Sequence, residues 1–231
     1  VNFRTTLTAV GGALVIAAAS GAAQAATIVG LFNTGTDASN VSVVGNGVDL
    51  HWTLQDDLGN DLTAYVGGQN GVFPLNGPWL PEDATSRWIG PTPLAGTTTD
   101  PRNDGFYEYN LAFNLSAAEA AGASFTARFA ADNAVSWIKL NDNILVGSET
   151  GGFNFWSGFS ASSGDFAAGT NNLTIRVINF GQATGNPSGL RVEFLDSTVG
   201  IVPEPGTWAL MILGFGSAGA MLRRRRALAL A

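Results

Sequence analysis

The sequence predicts an all-β protein: a jelly-roll β-sandwich flanked by an N-terminal signal helix and a C-terminal hydrophobic helix. Three observations predict it. Apolar and polar residues alternate at a period of two through most of the chain, Gly, Asn, Asp and Pro break the alternation at short intervals, and the middle of the chain carries a single short helix signal. Many short strands with antiparallel turn chemistry are what a two-sheet sandwich requires. The chain accordingly divides into a signal peptide over residues 1–25, a sandwich over residues 26–199 and a tail over residues 200–231.

Arg4, an apolar stretch over residues 7–19 and the small-residue site Ala23-Gln24-Ala25 make a secretory signal, with the mature chain expected to begin at Ala26. Ile28, Val29, Leu31 and Phe32 read as an opening strand, broken by residues 33–37. Residues 48–55 read as a half-buried strand, with Val48, Leu50, Trp52 and Leu54 on one face and Asp49, His51, Thr53 and Gln55 on the other. An acidic turn over residues 56–61 follows. Residues 67–101, rich in Gly, Pro and Thr, read as loops crossing a sandwich edge, with at most a short strand over residues 86–89.

Tyr107, Tyr109, Leu111, Phe113 and Leu115 share one face of a long strand. Ser116-Ala117-Ala118-Glu119 then fits a capping box, with Gly122 as the stop, which predicts one helical turn. Phe125, Ala127 and Phe129 mark the next strand, and residues 135–140 and 144–146 flank Asn141-Asp142-Asn143 as a hairpin. Phe153, Phe155, Trp156 and Phe159 form an aromatic run. Leu173, Ile175 and Val177 point inward from one late strand, and Leu190, Val192 and Phe194 from the last, which turns Arg191 and Glu193 outward.

Without Arg4, Glu204 and the four tail arginines the body keeps 6 basic and 17 acidic residues, hence a charge of −11. Such a surface repels a duplex or an anionic membrane, so nucleic acid is excluded as a partner. The chain has no cysteine, so stability after export rests on packing or on metal, and no thiol nucleophile exists.

In the tail, Pro203-Glu204-Pro205 precedes fifteen apolar residues, 208–222, that begin at Trp208; Arg223, Arg224, Arg225 and Arg226 close the run. The run is shorter than the roughly 20 residues a spanning helix needs. The arginines would stay on the cytoplasmic side. Pro-Glu-Pro, the glycine-bearing apolar segment and the basic end, in this order, resemble the PEP-CTERM sorting signal, in the variant where Trp-Ala follows Pro-Glu-Pro after two residues. The resemblance implies that a membrane transpeptidase of the exosortase type cuts near Pro203-Glu204-Pro205. The C-terminal helix would anchor the chain transiently in the inner membrane, and the body would pass to the cell surface or extracellular matrix. The signal peptide adds the Sec export machinery as a partner.

Asn33-Thr34-Gly35, Asp49-x-His51-Trp52, Ser86-Arg87-Trp88-Ile89, Ala131-Asp132-Asn133, the Leu140-Asn141 turn, Gly169-x-Asn171-x-Leu173 and Ser188-Gly189-Leu190-Arg191-Val192 lie in this order along the body. Together they resemble exported bacterial sandwiches of the galactose-binding or carbohydrate-binding-module type. The hairpin departs from that pattern: Asn141-Asp142-Asn143 stands where such modules often carry Asn-Gly, which predicts a longer or less regular turn.

Reactive groups are few. A Ser-His-Asp arrangement would have to use His51, the one histidine, and no Gly-x-Ser-x-Gly elbow accompanies it. One histidine and no cysteine leave zinc little but carboxylates, whereas oxygen ligands concentrate in Asp56, Asp57, Asn60 and Asp61, a candidate structural calcium site, and again in Asp100, Asn103 and Asp104 and in Asp132 with Asn133. No stretch follows the EF-hand spacing, and Asp and Asn at turns also serve simply by bonding their own backbone. For a sugar, Trp79, Trp88, Trp137 and Trp156 are candidate rings, and Arg87, Asp132 and Arg191 candidate polar contacts. Core packing is the ordinary role of each such tryptophan; Trp79, among prolines, is the best placed to escape it.

Three functions follow, in order. The first is a non-enzymatic protein of the envelope or matrix whose sandwich binds extracellular polysaccharide. The second is a purely structural protein that meets other protein chains. The third is a glycosidase, which would need two carboxylates roughly 6.5–9.5 Å apart for inverting chemistry, and no spacing selects such a pair.

Overall fold

A computed structural model describes residues 26–67, 72–200 and 205–228. The signal peptide, Pro203 and Glu204 lie outside the described residues. Among the described residues eleven strands form two antiparallel sheets: β1 (Trp52–Asp56), β2 (Asp61–Leu62), β3 (Tyr65–Val66), β4 (Ile89–Gly90), β5 (Gly105–Leu115), β6 (Ser124–Asp132), β7 (Ala134–Leu140), β8 (Asn143–Val146), β9 (Ser157–Ala161), β10 (Gly169–Asn179) and β11 (Gly189–Thr198). A short helix α1 (Ala117–Ala120) joins β5 to β6, and α2 (Pro205–Leu228) occupies the tail.

One sheet runs β2-β1-β5-β10-β7-β8 and the other β3-β4-β11-β6-β9. Taken from β4 onward, the strands fall into the quartets β4-β11-β6-β9 and β5-β10-β7-β8, with the β7–β8 hairpin kept in one sheet. This is the strand order of a jelly roll, as the alternation predicts. Strands β1 and β2 widen the first sheet and β3 the second.

Alternation fixes the core. Leu54, Tyr109, Leu111, Phe113, Ile138 and Ile175 from the six-stranded sheet face Phe125, Phe129, Ala131, Leu190 and Val192 from the five-stranded one, all buried in a single cluster. Each fully buried branched or aromatic side chain contributes about 1.5–3 kcal/mol. Phe125 makes edge-to-face contacts with Phe159, Phe166 and Phe194.

Several local expectations hold in detail. The capping box forms: Ser116 Oγ accepts the Glu119 N–H, and the Glu119 carboxylate accepts the Ser116 N–H at 2.7 Å. The long strand buries Tyr107, Tyr109, Leu111, Phe113 and Leu115.

Others are corrected. Residues 28–32 form no strand; Gly30, at φ +98, bends the chain where a Cβ would stand 2.8 Å from Phe113 Cβ, so Ile28 and Leu31 go inward while Val29 stays in solvent. The strand expected over residues 48–55 begins only at Trp52. Ahead of it the faces are reversed, with Asp49 buried and Val48 and Leu50 exposed. The cause is hydrogen bonding, since the Asp49 carboxylate accepts N–H groups from Gly35 at 2.6 Å and from His51 and Trp52 at 2.8 Å. The strand expected over residues 86–89 reduces to β4. The β7–β8 turn is tighter than expected, with Leu140 opposite Asn143 and Asn141 at φ 56 in the left-handed region that asparagine tolerates.

Helix α2 extends beyond the apolar run into the arginines, and Arg223 is exposed. Among the described residues no helix is long and apolar enough to cross a membrane. At ~1.5 Å rise per residue the run gives about 22 Å of helix against a hydrocarbon core of about 30 Å.

Candidate functional site

The outer faces of the two sheets differ, and the residues singled out from the sequence fall mostly on the covered one. Residues 72–88 fold across the outside of β11 and β6. Leu75, Trp79, Trp88 and Ala130 make a second apolar cluster there, with Leu80, Phe153 and Trp156 packed on it. Trp79 is 3% exposed and Trp88 0%. Their rings lie 4.2 Å apart, Trp79 Nε1 donates to Asp132 at 2.7 Å, and Trp88 Nε1 donates to the Leu80 carbonyl at 2.9 Å. Gly189 makes room for Trp79, whose Cη2 would stand 2.6 Å from a Cβ at that position. The loop tryptophan expected to reach solvent is thus packed, because its indole N–H finds a buried carboxylate.

The polar candidates are equally occupied. Arg191, 1% exposed, donates from Nε to Ser86 Oγ at 2.6 Å and from one terminal nitrogen to the Pro81 carbonyl at 2.5 Å; the other pairs with Asp83 at 3.0 Å and Glu193 at 3.3 Å. Glu193 also accepts from Ser86 Oγ at 2.7 Å and from Arg128. Arg87 pairs with Glu82 at 2.7 Å. Burial pushes the Glu82 carboxyl up, against Arg87 and the Trp88 N–H, which hold it down. Trp156 is partly exposed and carries two guanidinium groups, Arg128 at 4.3 Å and Arg191 at 4.9 Å from its ring centroid. Asp132 has Trp79 as its side-chain donor, and burial pushes its pKa up to about 6. The structure brings Trp79, Trp88, Asp132, Arg87, Arg191 and Trp156 together, as an internal charged and aromatic layer rather than an open cleft.

The turn at residues 56–61 satisfies itself. Asp56 accepts the Leu58 N–H at 3.0 Å, the Asn60 N–H at 2.8 Å and the Asn60 amide at 2.8 Å, while Asp61 accepts from Gln55 at 2.9 Å. The Asn60 bond leads the causes that lower the Asp56 pKa. Among the described residues no three His, Cys, Asp or Glu side chains gather as metal ligands. His51 stacks on Phe32 at 3.6 Å, and its Nε2 sits 3.0 Å from the Asp37 carbonyl.

The outer face of the six-stranded sheet is open, and sequence reasoning missed most of it. Cross-strand pairing sets Trp137, Arg176, Glu108 and Gln55 in one row and Lys139, Thr174, Asn110 and Thr53 in the next. Trp137, Lys139 and Arg176 are all partly exposed. The Lys139 ammonium stands 4.5 Å from the Trp137 ring centroid and the Arg176 guanidinium 4.5 Å from that of Phe106. Arg176 reaches Glu108 only at 3.7 Å, and among the described residues its Nε, itself shielded from water, has no hydrogen-bond partner. Of the body's six basic residues, Arg87 and Arg191 belong to the covered layer with Arg128 at its partly exposed rim, Arg102 lies in a loop, and Lys139 and Arg176 stand on either side of Trp137 in the sheet. The signal was present in the alternation, since Trp137 and Lys139 have the same parity on β7, but the register that adds Arg176 requires the fold. A groove of about 590 Å³ lies elsewhere, at the loop end, where Val72, Phe73 and Leu94 expose apolar surface beside Asn46 and Thr97.

Fold and tail together define the class of protein: a jelly-roll sandwich that carries its own address. The address is a PEP-CTERM protein-sorting motif, which residues 202–226 match. It marks an exported, surface-sorted chain recognised by an exosortase. No curated protein matches the chain. Among solved structures the chain is similar to a β-glucosidase from Kluyveromyces marxianus, at 10% identity and a TM-score of 0.34, covering 74% of this chain and 20% of that one. The chain thus spans about a fifth of that enzyme's length. It is also similar to the CBM35 of Cellvibrio japonicus Abf62, at 14% identity and a TM-score of 0.25, covering 66% of this chain and 99% of that one. Likenesses this distant assign no ligand and no activity.

Proposed function

We propose that this is a non-enzymatic protein of the cell surface or extracellular matrix that binds polysaccharide through the outer face of its six-stranded sheet. The tail is processed near Pro203-Glu204-Pro205 by the exosortase-type transpeptidase. One observation carries the binding role: in a body with a charge of −11, Lys139 stands over the ring of a partly exposed tryptophan, Trp137, and Arg176, over Phe106, pairs beside it on the next strand. An aromatic ring offers a face to the apolar side of a pyranose, and the flanking donors hold hydroxyl or carboxylate oxygens. A sheet face also suits an extended ligand, because positions along each cross-strand row repeat every ~4.8 Å from strand to strand.

The test is retention of the exported protein on a panel of neutral and acidic polysaccharides, with calcium and with chelator. Trp137→Ala is expected to lower retention about tenfold, the factor for losing ~1.4 kcal/mol. Equal retention of parent and variant overturns the assignment. Chelator is expected to change nothing, because Asp56 is filled by its own turn. A second reading has its own observation, the exposed apolar groove at Val72, Phe73 and Leu94, which favours protein contact. Self-association abolished by Phe73→Ser, together with no retention on any glycan, would select it.

A further inference from the structure

Ala26, where the sandwich begins, and Gly200, where the tail begins, meet at one corner. The Val199 N–H donates to the Ala26 carbonyl at 2.9 Å, the Ile28 N–H to Ser197 Oγ at 3.1 Å, and the Gly200 N–H to the Glu119 carbonyl at 2.9 Å. Two glycines make the closure, since a Cβ on Gly122 would stand 2.6 Å from Gly200 Cα and one on Gly200 would collide with the Ala118 carbonyl. Gly200, the first residue of the tail, is therefore fastened to α1 and does not trail from it.

That fastening limits where the tail can be cut. Between Gly200 and Pro203 stand only Ile201 and Val202. At no more than ~3.6 Å per residue, Pro203 lies within about 11 Å of Gly200 whatever path those residues take. A typical protein–protein contact covers about 800 Å² on each partner, a patch about 28 Å across that extends about 14 Å from its centre. An enzyme centred on the Pro-Glu-Pro segment must therefore touch the sandwich or pull it open.

We propose that the α1 corner, residues 116–122 with Ala26 and Gly200, is the surface that meets the membrane transpeptidase during sorting. The sandwich is then held with this end toward the membrane. Strand β5 runs from Gly105 to Leu115, where α1 begins, so the loop end stands about 33 Å farther out at ~3.3 Å per residue. Trp137 and Arg176 pair level with Glu108, nearer that outer end. The corner offers Ala117, Ala118 and Ala121 to solvent, and its one carboxylate, Glu119, is already turned back onto Ser116.

The inference rests on processing near Pro203-Glu204-Pro205, and its test separates the two. The full-length chain is produced in cells holding the transpeptidase, and conversion to the shorter form is followed by size. A chain carrying Ala118→Arg and Ala121→Arg is expected to be processed about tenfold more slowly. Ten Gly/Ser residues inserted between Gly200 and Ile201, which add about 17 Å of mean reach, are expected to restore the rate and so show that the substituted body is folded. Normal processing of the arginine variant without the insert overturns the proposal, as does failure of the insert to restore it. Glu204→Ala is the separate control: unchanged processing there removes the cut site itself, and this proposal with it, whereas a block by Glu204→Ala with an indifferent arginine variant removes the docking corner alone.

Discussion

The outer faces of the two sheets carry the same kinds of side chain and put them to different use. On β11, Arg191 and Glu193 alternate outward and meet Arg128 of β6; on β10, Thr174 and Arg176 alternate outward and meet Glu108 of β5. In the first set Arg191 and Glu193 are buried because residues 72–88 and Trp156 lie over them, and only the Arg128 side chain, 36% exposed, reaches the rim. The second is open to water. Charges taken out of water need partners, and the covered face supplies most of them: Ser86 joins Arg191 to Glu193, Asp83 and Arg128 complete that group at its exposed rim, and Arg87 pairs with Glu82 while its Nε, among the described residues, finds no acceptor. The open face leaves its pair at 3.7 Å, free to exchange partners with a ligand. Coverage, not composition, separates scaffold from candidate site.

The sharpest way to break this contrast is Glu193→Ala. It leaves Arg191 buried with less than its complement of acceptors, and the expected loss is about 3–5 kcal/mol, read as a lower denaturant midpoint at unchanged slope. A change under ~1 kcal/mol would mean that water reaches the layer.

Asp132→Asn sharpens the same face from the opposite direction. Burial raises the Asp132 pKa from its ordinary 3.8 to about 6, so the folded protein holds this proton more tightly than the unfolded chain does. The contribution is therefore fully present below pH ~3.8 and is lost as pH rises through about 6. At pH 7 the ionised carboxylate has, among the described residues, Trp79 Nε1 as its one side-chain donor. The asparagine keeps that acceptor without the charge, so the variant is expected to be about 2 kcal/mol more stable than the parent at pH 7. The difference should close by pH 4. A constant difference across that range would place the carboxylate in water.

Strand positions and parity were legible in the sequence because alternation is a property of the strand itself; Leu173, Ile175, Val177, Leu190 and Val192 all go where it sends them. Ser116 and Glu119 were legible because a capping box is complete within four residues. What covers a face was not. Trp79 is 53 residues from Asp132 and Arg191 is 105 from Ser86, and no local pattern reports such contacts. Asp49 misled for a related reason: its carboxylate serves Gly35, 14 residues back, and that bond turns the strand start inside out. The tail was the easiest part to read, because its order of Pro-Glu-Pro, apolar run and arginines is a linear message that needs no fold.

The smallest effect gives the finest test of whether the second face is open. Glu108 and Arg176 are each 28% exposed at 3.7 Å, and a surface pair of this kind is worth about 0–1 kcal/mol. A double-mutant cycle with Glu108→Ala and Arg176→Ala should give a coupling within that range, and raising salt from 0.1 to 1 M, where the Debye length falls from about 10 to about 3 Å, should erase it. Arg176→Ala alone should still weaken polysaccharide retention, since the guanidinium over Phe106 is then missing from the row beside Trp137. A coupling as large as that of the Glu193 layer, indifferent to salt, would mean that something lies over this face in solution. The face would then be an interface already filled, and the polysaccharide would have to be sought elsewhere.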